Sequence, residues 1–413
     1  MPRVGTMECD LLILGNGAIA QSLVLALGKP SFSITVVDTR PSYTSSKSTG
    51  ERTVALALGT IRQLSRWGIL LDSQEAGTIK KVQVSQERSP VRVLLEHHLL
   101  GPMAGLLGQV VPLELLLERL HHQVQALNSP IQQLPWGPVS GFEWFPDRIR
   151  LHWTSGQSIT ARLLVLADGG HGQLQRLLSL ERQAFDHNRF ACTAQVGNLS
   201  HAPHTAYEHF RESGPLALLP RADGQHSLVW TLLPSAAASL QDANDGAFLR
   251  TLNAQLPPGV PPLQQVSQRA WYPLYLQILR AAPESRVVPL GNAAQTLHPL
   301  AGQGYNLGLR DVVTLAALLQ EAEAAGQDPG SRQLLADFQR IRRQDRWETI
   351  AFTEGMNQLF GIPSLRLGRE LAFLALARSP GLQRRLAARL AGVALPRASR
   401  IPPLQESFHD LLL

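Results

Sequence analysis

The chain predicts an α/β fold. A parallel sheet of the nucleotide-binding kind is split in sequence, receives an inserted mixed β-sheet, and is followed by a helical C-terminal region. Three observations predict it. The first is a strand–loop–helix–strand unit near the N-terminus, built around Gly15-Asn16-Gly17-Ala18-Ile19-Ala20. The second is an apolar run, Leu164-Val165-Leu166-Ala167, that stops at Asp168-Gly169-Gly170. The third is a late strand, Val287 to Leu290, that enters a glycine-punctuated loop at 291–306 and then a helical pattern.

In chain order, Cys9 to Leu14 reads as a short buried strand, and a helical pattern follows the loop to about Gly28. Ile34 to Asp38 is the second strand, which makes the unit Rossmann-like with a GxGxxA loop. Gly15 serves the tight turn, and Gly17 lets backbone approach a pyrophosphate, with Ala18 next to it. Ala20 takes the third position, which asks only for close helix–strand packing. Asp38 ends the second strand, where it can bind a ribose hydroxyl. Short alternating segments such as Lys81 to Ser85 follow, then a helix from Pro112 to Leu127. Arg148 to Trp153 and Ser158 to Ala167 read as a hairpin and strand, and Phe190 to Leu233 is rich in strand signals. Pro257 to Pro262 is a loop before the nucleotide-type pattern returns near Arg286. The expected division is 1–75, 101–180 and 281–345 for the cofactor domain, 76–100 and 181–280 for the inserted sheet, and 346–413 for the C-terminal helices.

In the late loop, Gly302 and Gly304 lack a Cβ, so backbone can come close to a flat ring. The helix that starts near Asn306 presents free N–H groups and a positive dipole end behind them. Gln303 and Tyr305 complete the stretch. Such a site suits negative charge gathering on a reduced flavin.

The bulk numbers narrow the alternatives. With 413 residues, 44% of them hydrophobic, the chain can build a large core. Its two cysteines, Cys9 and Cys192, lack metal-ligand spacing, so neither a zinc site nor a disulfide framework is expected. Met1 to Cys9 lacks the apolar core of a signal peptide, and no apolar run nears the ~20 residues of a membrane span. The net charge is +6, yet Leu365 to Arg400 alone holds eight arginines against Glu370, a net +7. The excess therefore belongs to one segment, no nucleic-acid motif accompanies it, and no nucleic-acid partner is expected.

Taken together, the 15–20 unit with Asp38, the 164–170 segment and the 291–306 loop resemble the group A flavoprotein aromatic hydroxylases, whose type fold is that of para-hydroxybenzoate hydroxylase. Gly50 to Leu56, Gly214 to Pro220 and Trp271 to Leu274 look like the ubiquinone-biosynthesis hydroxylases among them. Where most members read Gly-Asp-Ala-Ala-His, this chain reads Gly291-Asn292-Ala293-Ala294-Gln295, similar to the branch that hydroxylates 2-octaprenyl-6-methoxyphenol. The resemblance implies FAD as cofactor, NADH or NADPH as electron donor, and O2 plus a polyprenyl phenol as substrates. It implies flavin contacts at Arg52, Gln109, Asp168, Gly169 and Asn292. After Asp-Gly the family has Ser and then Arg, whereas this chain has Gly172 and Gln175, with Arg176 one place later. Asn292 donates as well as accepts but carries no charge.

Such chemistry asks little of side chains, because the cofactor carries the hard step. His298 is the one candidate for acid–base work, or for holding the loop, and Pro299 shapes the loop beside it. Leu218, Leu219 and Trp230 are the candidate lining for an apolar substrate. Another ubiquinone-pathway ring hydroxylase, a flavin-dependent reductase and a non-catalytic flavoprotein scaffolding a quinone-synthesis complex are the competing readings; O2 consumption during turnover tests for reduction, and bleaching of bound flavin by NADPH or NADH with a prenylated phenol present tests for the scaffold. Leu367, Leu371 and Leu374 fall at helical spacing, as do Leu382, Leu386, Leu390 and Val393, with arginines 366, 369, 384, 385 and 389 off those stripes. Such helices can lie on an anionic membrane, dock a partner protein, or pack with a solvated basic face. The expected location is cytoplasmic, with peripheral contact on the inner face of the membrane.

Overall fold

A computed structural model describes residues 6–39, 52–102, 104–135, 137–170, 173–197, 202–282, 285–296, 302–361 and 365–393. β1 (Thr6–Leu14), α1 (Ala18–Leu27) and β2 (Ile34–Val37) form the opening unit. β3 (Thr53–Ala57), α2 (Leu58–Arg66), β4 (Gly77–Ile79), β5 (Lys81–Gln86) and β6 (Arg92–Glu96) follow. β7 (Gly108–Pro112) leads into α3 (Leu113–Ala126) and then β8 (Ile131–Leu134), β9 (Val139–Trp144), β10 (Ile149–Trp153) and β11 (Ser158–Leu166). After α4 (Gln173–Leu177) come β12 (Glu181–Gly197), β13 (Thr205–Phe210), β14 (Leu216–Pro220) and β15 (His226–Leu232). α5 (Pro234–Gln241), α6 (Asp245–Asn253), β16 (Gln265–Val266), β17 (Ala270–Arg280), β18 (Val287–Pro289) and β19 (Gln295–Thr296) follow. The chain closes with α7 (Gln303–Ala324), α8 (Arg332–Gly361), α9 (Arg366–Arg378) and α10 (Pro380–Leu390).

The first sheet has the order β8-β2-β1-β11-β10-β9, with β18 beside β11. β2, β8, β11 and β18 join it in parallel pairs, and β9 and β10 form an antiparallel flap. Leu11, Leu12, Ile13 and Leu14 are fully buried because β1 is covered on both faces. Alternation sends Leu11 and Ile13 into one core with α1, α3 and α7, and Leu12 and Leu14 into a second core beneath the flap. Leu163 to Leu166 on β11 divide the same way.

The second sheet has the order β19-β17-β12-β15-β14-β13-β5-β6, with β16 on β12. It is mixed, since β13 runs parallel to β5 while its other neighbours are antiparallel. One face packs Leu216, Leu218, Leu228 and Trp230 against Phe248 and Leu252 of α6. The opposite face carries Val84, Ala206 and Phe210 against Phe360, Phe373 and Ala387 of the last three helices. β3, β7 and β4 form a small third sheet.

α7 and α8 are joined by a buried ionic cluster. Asp311 is fully buried and accepts from Arg342 Nε at 2.6 Å, Arg346 Nη2 at 2.9 Å and Gln295 Nε2 at 3.0 Å. Asp345 accepts from Arg310 Nε at 2.8 Å and also pairs with Arg342. Burial alone would raise the Asp311 carboxyl, but Arg346 and Arg342 outweigh it and hold it down at about 2.

Candidate functional site

The three sequence motifs meet in space. Gly15 has φ 122°, and a Cβ there would lie 2.2 Å from the Ala167 carbonyl oxygen, so the first loop touches the end of β11. A Cβ on Gly170 would lie 2.7 Å from the Asn292 carbonyl oxygen, which joins the second motif to the third. Ile19 of α1 lies against Gly291 and Gly308 of the third. Gly302 caps α7 in the left-handed conformation, φ 59°, with Ala55 of β3 pressed against it. Only glycine meets both the angle and the contact without strain.

Several features fit a dinucleotide cofactor with a flat ring. The N-termini of α1 and α7 have no side-chain cap, a setting that suits phosphate and ring oxygens. A Cβ on Gly17 would meet nothing within 4 Å, which leaves open space at the start of α1 beside Ala18. Near Gly304 the closest approach is Asn292 Oδ1, at 4.0 Å from a Cβ position, and the Asn292 side chain is exposed. Gln109 is buried on β7, where Nε2 donates to the Leu71 carbonyl at 3.1 Å and Oε1 has no partner among the described residues. A buried, unmatched oxygen is a setting that suits a ligand donor.

The other site residues fall as follows. Asp168 is buried, and its Oδ1 accepts from the Gly170 amide at 3.0 Å, shaping the turn that contains Gly169 at φ 79°. Asp38 follows β2, and its amide donates to the Leu134 carbonyl. The Arg52 guanidinium lies 5.4 Å from the centre of the Tyr272 ring. Asn306 does structural work: Nδ2 donates to the Ala55 and Gly302 carbonyls and Oδ1 accepts from the Ala57 amide, all at 2.9 Å. The Tyr305 hydroxyl meets Ser22 Oγ at 2.9 Å, pinning α7 to α1, and burial pushes this phenol above its ordinary range. Gln175 accepts from Gln277 Nε2 at 3.2 Å, which ties the second motif to β17. His298 and Pro299 lie outside the described residues.

Beside the N-terminus of α7 lies an apolar cavity of about 260 Å³. Gln303 and Asn306 at the start of α7 line it, with Ala55 and Ala57 of β3. Ala206, Glu208 and Phe210 of β13 and Leu219 of β14 form the sheet wall. Met356 of α8, Phe373 of α9 and Leu386 of α10 form the opposite wall. Leu219 therefore lines the cavity, whereas Leu218 and Trp230 face the α6 side of the same sheet, where the Trp230 and Phe248 rings meet edge to face. The reason is strand alternation: neighbours on β14 point to opposite faces. Sequence reasoning did not single out Glu208, and the alternation of Ala206, Glu208 and Phe210 is the signal that could have found it.

The C-terminal helices hold another surprise. On α9, Phe373 and Leu376 face the cavity, while Leu367 and Leu371 are 75% and 66% exposed. On α10, Leu386 and Leu390 line the cavity, Val393 beyond it packs near Leu58, and Leu382 is exposed. Apart from Leu382, the α10 stripe thus packs inward, and Leu367 and Leu371 of α9 face outward.

A family model described as FAD binding domain matches residues 8–353. Ubiquinone hydroxylase UbiL of Rhodospirillum rubrum is 29% identical, over 93% of this chain and 90% of its own length. The 3-demethoxyubiquinol 3-hydroxylase of Escherichia coli is 24% identical, over 91% of this chain and 96% of its own. The crystal structure of p-nitrophenol 4-monooxygenase PnpA from Pseudomonas putida DLL-E4 shares the fold, with TM-score 0.74 at 16% identity, covering 94% of this chain and 99% of that one. Loops that interlock around two uncapped helix ends, and a family match across most of the length, agree: the chain belongs to the FAD binding domain family, among its flavin-dependent monooxygenases.

Proposed function

We propose that this protein hydroxylates the aromatic ring of a polyprenylated phenol of the 2-polyprenyl-6-methoxyphenol type in ubiquinone biosynthesis, using FAD, O2 and NADH or NADPH. The observation that carries the reading is the apolar cavity whose lining includes Gln303 and Asn306 at the start of α7. Bound FAD supplies the activated oxygen, and the chain's residues bind, orient and keep the site dry. The α1 N-terminus with Gly15 and Gly17 would hold the diphosphate, Asp38 the ribose, and the amides at the start of α7 the charged edge of the ring. A cavity of about 260 Å³ lies just under the roughly 300–1,000 Å³ of drug-sized sites. It suits a phenol ring with the head of a prenyl tail. The names of the ubiquinone-pathway relatives support the same substrate class.

The rest of a long tail favours lipid, and α9 offers a surface for it. Leu367, Leu371 and Leu382 are exposed, as are Arg378, Arg384 and Arg385. Leucines with flanking arginines suit peripheral contact with an anionic membrane. No described helix is long and apolar enough to cross one.

The test uses purified, FAD-loaded protein with NADPH or NADH and a prenylated methoxyphenol in air. The reading expects the flavin to bleach faster when the phenol is present, O2 to be consumed, and a product one oxygen heavier. Substrate conversion without O2 uptake would move the protein to the reductases. In cells lacking the gene, the 6-methoxyphenol intermediate should accumulate.

A further inference from the structure

We propose that Glu208 is the group in the cavity that grips the ring hydroxyl of the phenol and takes its proton, an assignment that rests on the phenol hydroxylation proposed above. Strand geometry places it. On β13, Ala206, Glu208 and Phe210 point into the cavity, and the register sets Glu208 beside Val84 of β5 and Ala217 of β14. Among the described residues that line the cavity, Glu208 is the one acid and Arg369 the one cation. Arg369 Nη1 is engaged with the Leu359 carbonyl at 2.6 Å. Among the described residues the Glu208 carboxyl makes no hydrogen bond or ion pair. A carboxyl set in an apolar wall without a partner is costly, and such groups cluster where function requires them.

The chemistry suits the position. Burial pushes the Glu208 carboxyl up to about 8, which makes it a stronger base than an ordinary carboxylate and closer to a phenol. In the transfer the phenolic O–H bond breaks, an O–H bond forms on Glu208, and the electron pair left on oxygen enriches the ring that is to accept oxygen. The proton returns to the product oxygen afterwards, so the residue is regenerated. Tyr207, the next residue on β13, packs its ring into the core on the α6 side of the sheet, and burial pushes its phenol upward, away from the same pH range.

The experiment compares FAD-loaded wild type, Glu208→Gln and Glu208→Leu with 2-geranyl-6-methoxyphenol and its O-methyl ether. Retained flavin and an unchanged circular dichroism spectrum establish that each variant is folded. Wild type should bind the phenol about tenfold tighter than the ether, and Glu208→Leu should lose that preference. The wild-type kcat should rise with pH through a midpoint near 8. Glu208→Gln should lose that limb and about a hundredfold in kcat, with KM changed by less than about threefold. A Glu208→Gln enzyme with the wild-type rate and pH limb would overturn the assignment, as would a Glu208→Leu protein that still prefers the phenol. If wild type binds neither compound, the phenol reading falls and takes the Glu208 role with it.

Discussion

At the residue scale, the site is set by positions where a side chain would be in the way. Gly302 combines φ 59° with a Cβ position 2.7 Å from the Ala55 Cβ, so Gly302→Ala adds both backbone strain and a clash. The expected cost is about 1–3 kcal/mol, together with weakened FAD retention. Thermal unfolding and released-flavin fluorescence measure the two effects. Asn292 is exposed and faces Gly304, which is where a family carboxylate would stand. Asn292→Asp returns a negative charge where the family resemblance puts the ribityl chain and should lower the flavin midpoint potential, read by dye-coupled redox titration. An unchanged potential with unchanged NAD(P)H kinetics would refute a role for Asn292 in tuning the flavin. The turn at Gly15 was legible in the sequence because a tight turn admits few residue types. The work of Asn306 and Tyr305 was not, because their partners Ala55, Ala57 and Ser22 lie far off in the chain.

At the scale of elements, α7 and α8 depend on Asp311. Asp311→Asn leaves Arg346 without its counter-charge and Arg342 with Asp345 alone, and should cost about 3–5 kcal/mol. The pH dependence has a definite sign. The folded Asp311 carboxyl sits at about 2, below its ordinary 3.8, so its stabilisation is complete above about pH 4 and is lost as pH falls toward 2. Melting temperatures from pH 5 down to pH 2 should fall more steeply in wild type than in Asp311→Asn, and equal slopes would remove Asp311 from the account. Gln295 looked like a branch marker in the sequence. In the fold it donates to Asp311 and so anchors the flavin-side loop to this cluster. The pairing of charges 31 and 35 residues apart depends on how the two helices cross, which no local pattern states.

At the scale of the whole molecule, the last helices do two things at once. They wall the cavity with Phe373, Leu376 and Leu386, and they present Leu367 and Leu371 outward. A chain cut near Pro363 would therefore open the cavity as well as remove any membrane face. Leu367→Gln with Leu371→Gln is the cleaner probe, because exposed positions tolerate exchange within about 0.5 kcal/mol. Vesicles of anionic phospholipid should retain the double variant about tenfold less than wild type, at unchanged flavin content. Equal flotation of the two proteins would remove the membrane from the proposal.

The sequence by itself determined the βαβ unit, the two later loops and the flavin family, because turns, periodicity and glycine positions are local and act within a few residues. It also placed the basic excess in one segment. Only the tertiary structure decided which face each residue serves. Leu218 and Leu219 are neighbours in sequence yet belong to a packed core and a cavity wall, and Glu208 gained its setting only when β13 was laid between β5 and β14. The physical reason is that burial and charge environment arise from chain segments meeting in space, and one strand's pattern does not say which of its faces will be covered by protein and which left open to a ligand.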